Sequence, residues 1–81
     1  MKENEIENFL KKKYEKIEIK VNYESFRDYS IIIKIEYKGT LYESLFYYKY
    51  NAHLSFEKNC YNIIDIIDSI ILSFYKKGMK L

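Results

Sequence analysis

Proline is absent from these 81 residues, glycine occurs only twice and cysteine once. Without proline, glycine-rich stretches or a low-complexity tract, nothing resembles a flexible linker. One domain over residues 1–81 with short loops is expected. A lone Cys60 excludes an internal disulfide and fits a reducing cytosol, so a cytoplasmic location is expected. No apolar run reaches membrane-spanning length, because Asp65 and Asp68 interrupt the longest one, and no membrane partner is expected. The opening MKENEIENF carries acids where a signal peptide needs an apolar core. The net charge of +2 is too balanced to point to nucleic acid or a membrane surface.

What the chain has in quantity is aromatic residues, ten Tyr and five Phe. A domain this small is near the lower limit for a self-sufficient core, and large rings offset that limit. The organising stretch is YSIIIKIEYKGTLYESLFYYKY, from Tyr29 to Tyr50. Tyr29, Ile31, Ile33, Ile35 and Tyr37 fall at every second position, as in a half-buried strand. Gly39 supplies the positive φ that a tight hairpin turn at Lys38-Gly39 needs. That turn sets Tyr37 against Thr40, Ile35 against Tyr42, Ile33 against Ser44, Ile31 against Phe46 and Tyr29 against Tyr48 on one face. The other face pairs Glu36 with Leu41, Lys34 with Glu43, Ile32 with Leu45, Ser30 with Tyr47 and Asp28 with Lys49. Two opposite-charge pairs arise from this register, and a one-residue slip loses both.

Residues 4–13 carry an amphipathic helix pattern, with Ile6, Phe9 and Leu10 on one stripe. Asn4 with Glu7 reads as a capping box, and Lys11, Lys12 and Lys13 complement the helix dipole as a solvated end rather than a nucleic-acid patch. Residues 16–23 alternate as a strand with one wet face. ESFRD, 24–28, is a link in which Phe26 either tucks under the sheet edge or stands out as an anchor for a partner. The third strand, 41–50, is followed by a turn at Asn51-Ala52-His53. Ser55 or Asn59 then caps a long helix striped by Cys60, Ile63, Ile64, Ile67, Ile70, Ile71 and Phe74. Asn62, Asp65, Ser69, Ser73 and Lys76 lie opposite that stripe, and Lys76-Lys77-Gly78 closes the helix. The expected fold is α+β, in the order α-β-β-β-α, an antiparallel meander with both helices on the face bearing Ile17, Ile19, Ile31, Ile33 and Phe46.

Chemistry-bearing residues are sparse. His53 has no second ligand nearby, so neither metal nor cofactor is expected. Cys60 sits on the core stripe as a small hydrophobe; its place near a helix start favours a lowered pKa, but reactivity also needs exposure. Asp65 and Asp68 on an exposed helix lack the cleft that would shift their pKa values. The Gly39 turn has no further glycines to cradle phosphate. The chain is therefore not expected to be an enzyme.

The third strand is apolar on both faces, and such strands are usually covered on both. Two helices cover one face, so an external partner is expected on the other. Ile32, Leu45 and Tyr47, with Leu41, form a strip rimmed by Lys34, Glu36, Glu43 and Lys49, the pattern of an interface. The candidate protein-binding residues are Ile32, Leu41, Leu45, Tyr47, Phe26, Glu36 and Glu43, and Ile32, Leu45 and Tyr47 are expected to be exposed in the isolated chain. A homodimer through this face and nucleic-acid binding through Tyr and Lys side chains are the alternatives.

The element order resembles that of double-stranded RNA-binding domains. Their lysine-rich helix start and Gly-Pro-His-type loop have no counterparts in SFEKNCYN and YESFRDY. The whole chain also resembles the small prophage-encoded anti-CRISPR proteins that inhibit type II CRISPR nucleases. NEIENFLKKKY, SIIIKIEYKGTLY and IIDSIILSFYKKG carry that resemblance. It implies a helix, a three-stranded antiparallel sheet and a second helix, acting in a host bacterial cell on a CRISPR effector. Members that mimic DNA are acidic, whereas this chain is slightly basic, so no functional residue is carried over.

Overall fold

The turn at Lys38-Gly39 fixes the centre of the molecule. Both residues take positive φ, 50° and 82°, the combination whose twist matches two antiparallel strands. In the computed structural model, which describes residues 2–80, the elements are α1 (Glu3–Lys13), β1 (Glu18–Ser25), β2 (Asp28–Tyr37), β3 (Thr40–Lys49) and α2 (Phe56–Lys76). All ten expected β2–β3 pairs form, from Tyr37 opposite Thr40 to Asp28 opposite Lys49. The three strands make one antiparallel sheet in the order β1-β2-β3.

The expected 24–28 link is instead a two-residue turn. Phe26 and Arg27 connect strands that close with Ser25 opposite Asp28, and a register shift between Tyr23 and Ser25 leaves Glu24 as the extra residue. Arg27 takes φ 60° without being glycine, which is why no turn signal appears in the sequence. Its carbonyl accepts the Tyr50 N–H at 2.7 Å and its guanidinium lies 4.6 Å over the Phe26 ring. Strand β1 accordingly runs later than 16–23, and β3 ends before Tyr50.

Both helices cover the face that carries Ile19, Val21, Ile31, Ile33 and Ile35. These residues join Ile6 and Leu10 of α1 and Cys60, Ile63, Ile64, Ile67 and Phe74 of α2 in one buried cluster. Ile70 and Ile71 are only half-buried, at the margin of the stripe. The capping box is absent: α1 begins at Glu3 with Lys2 at its N-cap position and no side-chain cap. Glu7 serves elsewhere, accepting the Val21 N–H at 2.8 Å and pairing with Lys11 at 3.1 Å. Burial pushes the Glu7 carboxyl up, but those bonds and the charges of Lys11 and Lys20 outweigh it and hold the pKa below the ordinary value.

Helix α2 is capped as expected by Ser55, whose hydroxyl accepts the Lys58 N–H at 3.0 Å. Its C-terminus closes in a Schellman motif: Met79 N–H reaches the Phe74 carbonyl and Gly78 N–H the Tyr75 carbonyl, both at 3.1 Å. Gly78 takes φ 116°, a conformation for which glycine is needed. The motif folds Met79 into the core, a burial that the helix stripe does not foretell.

Candidate protein-binding surface

Strand alternation places Ile32, Leu41, Glu43, Leu45 and Tyr47 on the sheet face away from the helices. Leu41, Leu45 and Tyr47 are 56%, 53% and 66% exposed. Ile32 is half-buried rather than exposed, because it sits on the central strand between Lys20 and Leu45. Ile32, Leu45 and Tyr47 form a contiguous strip, and Ile32, Lys34, Glu43 and Leu45 line a shallow depression of about 350 Å³. Leu41 stands beyond Glu43 on the same face, opposite the exposed Glu36.

Ion pairs close both ends of the strip. Lys34 Nζ lies 3.9 Å from Glu43, and Lys49 Nζ lies 3.3 Å from Asp28. All four side chains are well exposed, so these pairs shape the rim more than they stabilise the fold. Beside Tyr47, Ser30 is buried on this otherwise open face and donates to the Glu24 carboxylate at 2.7 Å. Only the unforeseen extra residue at Glu24 permits that contact.

Phe26 is 69% exposed but does not join the strip. With Tyr23, Tyr29 and Tyr50 it lines a separate hollow of about 520 Å³ at the sheet end, where Lys2 and Arg27 also converge. The Tyr23 and Tyr29 rings are 5.6 Å apart, Tyr29 and Tyr50 6.2 Å apart, and Lys2 Nζ is 5.7 Å from the Tyr50 ring. Burial raises the pKa of both Tyr29 and Tyr50. The rings meet edge-on or tilted rather than stacked, and Glu5 shares the lining with the two cations, so the hollow offers aromatic edges and charge of both signs. Tyr23 faces Tyr29 in the β1–β2 register, and Tyr50 is brought to them by its N–H bond to the Arg27 carbonyl.

The remaining chemistry-bearing residues are tied to structure. Cys60 is fully buried, and burial followed by the charge of Glu57 pushes its thiol up to about 11, opposite to the effect of a helix start. Asp68 accepts the Tyr14 hydroxyl at 2.5 Å, fastening the end of α1 to α2. Burial first, then Asp68, raises the Tyr14 pKa well above its ordinary value. His53 is exposed, and its backbone N–H donates to the Asn51 side chain at 2.9 Å. Among the described residues no three His, Cys, Asp or Glu side chains are grouped to hold a metal ion, and no helix is long and apolar enough to cross a membrane. Compared with family models, curated proteins and solved structures, the chain matches none.

Proposed function

We propose that this chain is a protein-binding inhibitor that occludes a partner with the outer face of its sheet. The observation that carries the reading is the strip of Ile32, Leu45 and Tyr47 on a face that neither helix covers, closed by ion pairs at both ends. Such a surface fits a protein partner with an apolar patch flanked by charges of both signs. Tyr47 is its largest exposed side chain, and an aromatic in a patch is the usual anchor.

The resemblance to anti-CRISPR proteins supports the sharpest form of this reading, inhibition of a type II CRISPR effector in a bacterial host. The test is DNA cleavage by a purified, guide-loaded type II nuclease with the chain added. Dose-dependent inhibition that Tyr47→Ala weakens is expected. Full cleavage at saturating protein would remove the CRISPR assignment.

Nucleic-acid binding is the second reading, favoured by the aromatic hollow beside Lys2 and Arg27. It differs in its salt response: binding led by phosphate contacts weakens steeply as salt rises, while an apolar protein interface does not.

A further inference from the structure

The two edges of the sheet are treated differently. On β1 the outward Val21 N–H is taken by the Glu7 carboxylate of α1 at 2.8 Å, and the strand is distorted near its end by the shift between Tyr23 and Ser25. Among the described residues, strand β3 has β2 on one side and no strand on the other. It runs ten residues without proline or register shift. Among the described residues, no hydrogen bond outside its ladder with β2 engages its backbone. A long, regular, open edge is a template for another strand.

We infer that β3 is the dimer edge: two copies of this chain pair β3 to β3, antiparallel, about a two-fold axis at Phe46. The two-residue turn makes Tyr37 and Thr40 exchange hydrogen bonds, so the even-numbered residues of β3 bond to β2. The odd residues Leu41, Glu43, Leu45, Tyr47 and Lys49 therefore point their backbone groups outward. The same alternation carried through β2 makes Val21 an outward residue of β1, where its N–H does meet Glu7.

Charge selects the register. With the axis at Phe46, Leu45 faces the second copy's Tyr47 and Glu43 faces the second copy's Lys49, each twice. Moving the axis to Leu45 sets Glu43 against Tyr47 and Leu41 against Lys49. Moving it to Tyr47 sets Tyr47 against itself and Leu45 against Lys49. Only the Phe46 axis pairs Glu43 with Lys49. Since Lys34 faces Glu43 and Asp28 faces Lys49 within each chain, charges of alternating sign run across the junction: Lys34, Glu43, then Lys49 and Asp28 of the second copy.

The inner face leaves room for this pairing. Ile31, Ile33 and Ile35 on β2 are fully buried, whereas Tyr42, Ser44, Phe46 and Tyr48 on β3 are only half-buried. Helix α2 packs over β3, with the Phe74 ring 5.5 Å from Tyr42 and Asn59 accepting the Tyr48 hydroxyl at 2.7 Å, yet Phe46 between them stays half-buried and would gain its own copy as cover. The product is a continuous six-stranded antiparallel sheet. Its outer edges are the two β1 strands, each carrying Glu7, so growth stops at two. The two apolar strips become one surface.

Sedimentation equilibrium of the full chain, with no other partner present, tests the pairing separately from the inhibitor reading. A monomer–dimer equilibrium is expected, with the Leu45 and Tyr47 amides slowing in hydrogen exchange as concentration rises. Lys49→Glu should weaken it by about tenfold or more, since it faces Glu43 across the axis, and Glu43→Lys with Lys49→Glu should restore most of it. Leu45→Pro removes an outward N–H, which leaves the β2 ladder intact, and should yield a folded monomer. A chain that stays monomeric to about millimolar concentration, beyond the range of weak specific association, overturns the proposal. So does a dimer indifferent to both Lys49→Glu and Leu45→Pro.

Discussion

The side chain of Asn59 holds both backbone groups of Asn51. Its Oδ1 accepts the Asn51 N–H at 2.8 Å, and its Nδ2 donates to the Asn51 carbonyl at 3.0 Å. The same Oδ1 accepts the Tyr48 hydroxyl at 2.7 Å, and Nδ2 also donates to the Ser55 carbonyl at 2.9 Å. Asn59 is fully buried, so the β3–α2 connection is pinned by one polar group inside the core. Asn59→Ala strands several of these partners and should cost about 2–4 kcal/mol in urea unfolding. Asn59→Asp should cost at least as much, because it sets a carboxylate against the carbonyls that Nδ2 now satisfies.

The phase of α2 is tested by two residues on opposite sides. Ile67 is fully buried and Ser69 is exposed. Ile67→Ala should cost roughly 2–5 kcal/mol through lost methyls and the cavity left behind. That is a large part of the stability of a small domain. Ser69→Ala loses one bond to the Asp65 carbonyl and should cost well under about 1 kcal/mol. Similar denaturation midpoints for the two would contradict the helix phase.

Acid sensitivity should centre on Glu7. Its folded pKa is held below the ordinary value near 4.5. The ionised form is therefore favoured by folding, and its contribution is complete above that value. It is lost as the pH falls through the lower, folded pKa. Glu7→Gln should be less stable than the parent at neutral pH, and the difference should shrink as the pH falls from about 5 to 3. Unfolding curves across this range decide the matter, and a constant difference would show that the Glu7 charge contributes nothing.

The fold was legible wherever local chemistry and tertiary packing agree. Lys38-Gly39 announces its turn, and that turn dictates ten cross-strand pairs and the outward strip with them. The Phe26-Arg27 turn carries no such signal: Arg27 takes a left-handed φ without being glycine, in a place where its carbonyl holds the Tyr50 N–H and its guanidinium lies over the Phe26 ring. Glu7 misleads for a related reason: its spacing from Asn4 suits a cap, but the unpaired Val21 N–H at the sheet edge competes for the same carboxylate. Asn59 looks like a cap and is instead a core clamp. In each case a contact distant in sequence overrides a local pattern. The aromatic hollow was missed on the same grounds, because its rings come from three separate segments.

The β2–β3 register has an energetic signature as well as a geometric one. Lys34 and Glu43 face each other with both side chains exposed. A double-mutant cycle to alanine should return a coupling of about 0.2–1 kcal/mol, larger at low salt. Zero coupling at low ionic strength would mean that the 3.9 Å pair is not held in solution.

The exposed strip also predicts a separation between binding and stability. Tyr47 is 66% exposed and its side chain makes no hydrogen bond among the described residues, so Tyr47→Ala should leave the unfolding midpoint nearly unchanged. If the outer face is the docking surface, the same substitution should weaken partner binding by roughly 1–3 kcal/mol, about 5- to 150-fold. Lys11→Ala and Lys12→Ala lie on α1, away from that face, and should alter binding little. Phosphate-led binding predicts the reverse: each lysine that touches phosphate lowers affinity and flattens the salt dependence, while Tyr47 is silent unless a base stacks on it. Titrating the four proteins against the same partner at two salt concentrations separates the cases. Affinity that survives Tyr47→Ala and disappears with the lysines would place the working surface on the helix rather than on the sheet.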